Sequence, residues 1–234
     1  MNVFSYWSGP IPDWIKTCLS TFRRKCMYSK FHLITPDNCN QYVPNLNKRW
    51  LDLHPSVGTD CLRAHLLAEH GGLWADADTI CLREPFLLIH NRYKKEQFLY
   101  SRWKDGRAIA GYVYAPKGHP VALRWRDGVD STLRHGFNVG WGDLGEKLLT
   151  WCLNGVADGS TWEIPLETFL PVDIDREVEV LFTEQPWRDR VSIRTILFGL
   201  NHSWMMANKL EEMTKNPAGS RLMIHKLLQE WRRI

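Results

Sequence analysis

No stretch of this 234-residue sequence approaches the apolar run that a membrane-spanning helix needs, and its six cysteines form no Cys-x-x-Cys pair. The first absence argues against a membrane span, and the second against zinc fingers or a disulfide-rich module. Cys18, Cys26, Cys39, Cys61, Cys81 and Cys152 are expected as free, mostly buried thiols. No repeat, low-complexity tract or obvious linker interrupts the chain. Long blocks of one charge are missing too. The formal net charge is +4, and the basic residues are spread out apart from Arg23-Arg24-Lys25 and Arg232-Arg233. That distribution gives no nucleic-acid module and leaves an anionic substrate or a peripheral contact with an acidic membrane surface as partners for the clusters. The start, Met1 to Trp7, has neither a basic leader nor a long apolar stretch, so a cytoplasmic location is expected.

What is present is an ordinary globular composition, 44% hydrophobic and 24% charged, with a high tryptophan count of 12. The length suits one α/β domain covering residues 1–234. Asn2 to Trp7 reads as a strand stopped by Ser8-Gly9-Pro10. A helix follows from Asp13, with Ile15, Cys18, Leu19, Phe22 and Cys26 on its apolar side, and Phe31 to Ile34 forms a second strand. This β-α-β alternation predicts a sheet with crossover helices. A further helix starts at Ser56 or Thr59 and ends at His70-Gly71-Gly72. Strands are predicted at 97–103 and 108–115, helices at 120–127 and 143–153, a last strand at 195–200 and a closing helix from Met223. The pattern between Gly155 and Pro186 assigns no element.

The most informative segment is Gly71-Gly72-Leu73-Trp74-Ala75-Asp76-Ala77-Asp78. Side chains at i and i+2 of an extended chain share a face, so Asp76 and Asp78 are expected to converge on one hard cation, Mn²⁺ or Mg²⁺, with phosphate oxygens completing its shell. A solvated edge strand is the competing reading of an isolated Asp-x-Asp. Upstream, Asp60 and Arg63 share one helix face; taken alone they read as a helix-terminal charge and a surface ion pair.

Together, Tyr6-Trp7-Ser8-Gly9-Pro10, Thr59-Asp60 with Arg63, the Gly71-to-Asp78 segment and His202-Ser203-Trp204 resemble the Asp-x-Asp sugar transferases. The resemblance is to capsular-polysaccharide-synthesis proteins and initiating mannosyltransferases, and more distantly to the catalytic domains of glucosylating toxins. Leu144 to Thr150 is a weak echo of a helix on that family's acceptor side. The resemblance implies a GT-A fold: a single Rossmann-like α/β domain with a mixed central sheet flanked by helices. Residues 1–103 would form the nucleotide-sugar-binding part, and 104–234 the acceptor side and closing segment.

The partners it implies are a nucleotide-diphosphate sugar, UDP-linked, and a glycan acceptor. Asp78 would hold the metal directly, and Asp76 the ribose or a metal-bound water. Asp60 and Arg63 would contact the donor, and Tyr6 and Trp7 would lie at the nucleotide, with a core position as the alternative for Trp7. Ser203 and Trp204 would donate to the diphosphate. His202 would be the third metal ligand or a diphosphate partner, with Asn201 as its substitute. Asp143, Asp173 and Asp189 are nominal candidates for a catalytic base.

Two other functions are open to these residues. A haloacid-dehalogenase-type phosphatase uses Asp-x-Asp as nucleophile and general acid, but on its first strand, whereas here the motif follows two strands and two helices. A non-catalytic sugar-binding module would keep the aromatic contacts without needing Asp60, Arg63, Asp76 and Asp78 together.

Overall fold

Strand β1 (Asn2–Tyr6) is the spine of the main sheet, with Val3, Phe4 and Ser5 buried. The computed structural model describes residues 1–136, 138–157, 159–172, 184, 186–200 and 223–232. β1 runs parallel to β2 (Lys30–Ile34) on one side and to β3 (Gly72–Ala75) on the other. β6 (Tyr112–Ala115) lies antiparallel to β3, β5 (Phe98–Tyr100) antiparallel to β6, and β7 (Thr161–Glu163) parallel to β5. The result is a six-stranded mixed sheet in the order β2-β1-β3-β6-β5-β7, as the α/β reading expects. β4 (Thr79–Cys81) and β8 (Leu197–Gly199) form a separate antiparallel ribbon.

The helices are α1 (Asp13–Lys25), α2 (Cys39–Tyr42), α3 (Pro55–His70), α4 (Pro85–Arg92), α5 (Pro120–His135), α6 (Leu148–Leu153) and α7 (Met223–Arg232). Two compact units result. One comprises Met1–Gly9, Ser29–Asp76 and Ile89–Pro165. The other comprises Pro10–Tyr28, Ala77–Leu88 and the described part of Leu166–Ile234.

In the first unit α3 packs against β1, β3 and β6 as well as against α5. Covered by both neighbours, it buries Val57, Gly58 and every residue from Asp60 to Ala68. It starts earlier than the sequence suggests. Pro55 takes the first turn, where its missing N–H costs nothing, and a His54 ring nitrogen accepts the Ser56 N–H at 3.4 Å. It stops where predicted, with Gly71 at φ +65° and Gly72 at φ +127°. Both glycines also answer to close packing. A Cβ on Gly71 would lie 2.3 Å from the Lys117 backbone nitrogen, and one on Gly72 would lie 2.4 Å from the Asn2 carbonyl oxygen.

Two expected strands prove shorter. Residues 101–111 turn back on themselves through an Arg102–Ala108 bridge and Ile109 N–H donating to Ser101 O at 2.9 Å, leaving β5 and β6 on either side. The helix expected at 143–153 opens with a π-helical turn, Asp143–Lys147, before α6.

In the second unit α1 packs on β4 and α7. Thr21 Oγ1 accepts the Cys81 N–H at 2.7 Å and donates to Cys18 O at 2.6 Å, fixing the helix to the ribbon. Leu227, Leu228 and Trp231 of α7 are buried, Lys25 Nζ lies 4.9 Å from the Trp231 ring centre, and Arg24 donates to Trp231 O at 2.6 Å. All six cysteines are free, and all but Cys26 are buried.

Candidate functional site

Parallel strands gather their C-terminal ends at one edge of a sheet, where α/β proteins place their ligands. Here β1 and β3 pair with Phe4 opposite Trp74, so Tyr6 and Asp76 leave the sheet side by side. Ser5 Oγ donates to Ala75 O at 2.6 Å and holds the two ends together. β3 stops at Ala75; Asp76 N–H still reaches Gly111 O at 3.2 Å, and Ala77-Asp78 then forms a turn into β4. The extended face expected to carry both carboxylates is therefore absent: past Gly111 the main sheet offers no further pairing, and the chain turns to join β8. The boundary between the two compact units falls between Asp76 and Ala77.

In the first unit, one carboxylate oxygen of Asp76 is heavily used. Oδ1 accepts from Trp74 Nε1 at 2.8 Å and from Arg63 NH2 at 3.1 Å. Among the described residues nothing donates to Oδ2, and Gly111 gives it room, since a Cβ there would sit 2.6 Å away. Arg63 lies over the Trp74 indole, 5.0 Å from the ring centre to the guanidinium carbon, and its NH1 is 3.4 Å from Asp60 Oδ1. Arg63 Nε is buried and meets no acceptor among the described residues. Asp60 and Arg63 are each only 7% exposed. The surface ion pair is thereby overturned, because the 143–147 turn closes on Asp60 at Gly145, and Trp74 and Asp76 close on Arg63.

Burial pushes the Asp60 carboxyl up to about 7; Arg63 pulls it down, while Asp76 and Glu146 push it further up. Its neighbour is Gly145 in the π-turn, where a Cβ would lie 2.6 Å from both Asp60 oxygens. The next residue, Glu146, takes Trp103 Nε1 at 2.6 Å and Arg107 NH1 at 2.7 Å, tying the 101–111 hairpin to the π-turn. The sequence did not mark Gly111, and it touched Glu146 only within the weak echo at Leu144 to Thr150. Only that echo pointed to Gly145, because which glycine backs which carboxylate is a tertiary fact.

The other expected residues are placed as follows. Tyr6 is half-buried edge-on to Trp50, with ring centres 5.9 Å apart, and burial raises its phenol above the ordinary value. Trp7 is half-buried, and its N–H donates to Ile34 O at 3.0 Å. In the second unit, Asp78 is half-buried with Oδ1 covered, and its carbonyl oxygen accepts the Leu200 N–H at 3.0 Å. Asp143 accepts from Gly140 N–H and Lys147 Nζ, each at 2.7 Å, and those partners hold its carboxyl below the usual range. Asp189 lies in a 3₁₀ turn, Trp187–Arg190. Asp173, Asn201, His202, Ser203 and Trp204 fall outside the described residues.

The fold is a glycosyltransferase fold. The chain is similar to the glycosyltransferase GlyE of Streptococcus pneumoniae TIGR4, with TM-score 0.56 and 12% identity, covering 100% of this chain and 60% of that one. The apo form of GlyE gives TM-score 0.53 and 11% identity over the same shares. The PaToxG glycosyltransferase is matched at TM-score 0.48 and 15% identity over 65% of this chain and 68% of that one. The chain thus spans 60% of the length of GlyE. No curated protein matches it in sequence. A family model described as "Capsular polysaccharide synthesis protein" matches residues 2–126, and the chain belongs to that family.

Proposed function

We propose that this protein is a metal-dependent glycosyltransferase that moves a sugar from a nucleotide-diphosphate sugar, UDP-linked, to a glycan acceptor. The observation that carries this reading is the buried Asp60–Arg63–Asp76 cluster on Trp74, at the sheet edge where β1 and β3 end. Two carboxylates drawn to one guanidinium, with Gly111 and Gly145 letting the backbone lie close against their oxygens, offer acceptors to sugar hydroxyls and, with a cation bound, a seat for a diphosphate. An unmatched buried N–H such as Arg63 Nε costs about 1–3 kcal/mol, which a structure-only ion pair would not need to carry.

The residues present fit the cation. Asp76 Oδ2 is open to one, and carboxylates suit Mn²⁺ or Mg²⁺. Among the described residues no three His, Cys, Asp or Glu side chains gather into a complete metal cage. Asp78 and Asp76 would hold the ion, with His202 as further ligand and phosphate oxygens in the remaining positions. Bound there, the metal supplies positive charge to the diphosphate as its bond to the sugar breaks. Asp60 accepts hydrogen bonds from donor-sugar hydroxyls, and Arg63 holds Asp76 in place while facing the donor. Tyr6 and Trp7 border the base, and Ser203 and Trp204 donate to the diphosphate.

Purified protein incubated with a panel of UDP-hexoses and Mn²⁺ should release UDP, by transfer or slow hydrolysis. EDTA should stop the release, and Asp78→Asn should lower it at least about tenfold. Inorganic phosphate released from a monoester, with no UDP released from any donor, would point to a phosphatase and overturn the reading.

A further inference from the structure

Among its described residues the second unit exposes four large apolar side chains: Met27 at 79%, Tyr28 at 62%, Leu87 at 41% and Ile193 at 72%. Hydrogen bonds bring their three segments to one edge. Tyr28 N–H donates to Glu84 Oε2 at 2.9 Å and Phe86 N–H to Glu84 Oε1 at 3.1 Å, setting the turn after α1 beside the first turn of α4, which carries Leu87. Arg83 NH2 reaches Ser192 O at 3.3 Å, and Leu82 N–H reaches Ile196 O at 2.9 Å, placing Ile193 at the same end of β4. One exposed apolar residue is ordinary on a soluble surface; four from three segments at one edge form a patch.

In these three segments the exposed charged side chains are basic, and one half-buried acid, Glu84, lies among them. Arg23, Arg83 and Arg194 are exposed, while Glu84, the acid in the middle, gives its two oxygens to backbone N–H groups. The apolar face of α7 is not available for a similar contact, because Leu227, Leu228 and Trp231 are buried.

We propose that this edge docks the protein on an anionic lipid bilayer. Met27, Tyr28, Leu87 and Ile193 enter the boundary between headgroups and acyl chains, and Arg23, Arg83 and Arg194 face the anionic headgroups. Exposed arginines in the same segments as the apolar tips are complementary to such a surface, and tyrosine favours the level where lipid meets water.

The test is co-sedimentation with vesicles of equimolar phosphatidylcholine and phosphatidylglycerol, against vesicles of phosphatidylcholine alone. The full chain should bind the first at low salt, lose binding at high salt and leave the second unbound. Met27→Ser, Tyr28→Ser and Ile193→Ser combined should lower partitioning at least about tenfold. Arg23→Glu with Arg194→Glu should abolish the anionic preference. Leu51→Ser, at an exposed leucine of the first unit, should leave binding unchanged, with circular dichroism confirming that each variant is folded. The proposal is overturned if the protein ignores anionic vesicles at low salt, or if the triple serine variant binds as well as the parent. It is equally overturned if that variant instead converts a dimer to a monomer by light scattering, since a second copy would then cover the edge.

Discussion

Asp60 combines burial, one cationic neighbour and two acidic ones, and its carboxyl rises from an ordinary 3.8 to about 7. Because the folded chain holds that proton more tightly than the unfolded chain, Asp60 favours folding most below pH 3.8. The contribution is lost as pH rises towards about 7. Urea unfolding of the metal-free protein and of Asp60→Asn across this range should give a difference curve in which the parent loses ground at up to about 1.4 kcal/mol per pH unit and then levels off. A flat difference curve would mean that Asp60 ionises normally. At this scale the sequence was partly legible. The residue types of the site stood out, but their burial did not, because Asp60 and Arg63 become interior only when the 143–147 turn and the end of β3 close on them. Only the tertiary structure adds the Trp74 indole N–H to Asp76 and its ring beneath Arg63.

At the scale of elements, periodicity located β1, α1, β2, α3 and the Gly71-Gly72 stop to within a few residues. It failed where the backbone answers to neighbours rather than to its own pattern. The Gly71-to-Asp78 segment read as extended through both carboxylates, yet Asp76 is the last residue that Gly111 can pair, and the chain breaks there into a turn. The 101–111 hairpin likewise cut two predicted strands short. The glycine stop shows how tightly β3 is threaded, between Lys117 on one side and β1 on the other. Gly72→Ala should destabilise the protein by about 2–3 kcal/mol, because it adds a positive-φ penalty to a clash with the Asn2 carbonyl. The urea midpoint measures this, while Gly106→Ala, at a positive-φ turn with open space around it, should cost less. Equal losses at the two positions would show that packing against β1 is not the limiting constraint.

On the scale of the whole molecule, the mixed six-stranded sheet and the family membership agree with the sequence-based expectation of a sugar-transferase fold. The donor, the cation and the part played by the segment after Leu200 belong to the proposed function. Its central claim is that a divalent cation and a nucleoside diphosphate bind together through Asp76 and Asp78. Isothermal titration of UDP into the full chain, with and without Mn²⁺, tests that claim most directly, with Asp78→Asn and Asp76→Asn titrated in parallel. The account predicts UDP binding at least about tenfold tighter with Mn²⁺ in the parent, and loss of that gain in both variants. UDP binding that is indifferent to Mn²⁺, or a metal-dependent gain that survives in Asp78→Asn, would contradict it.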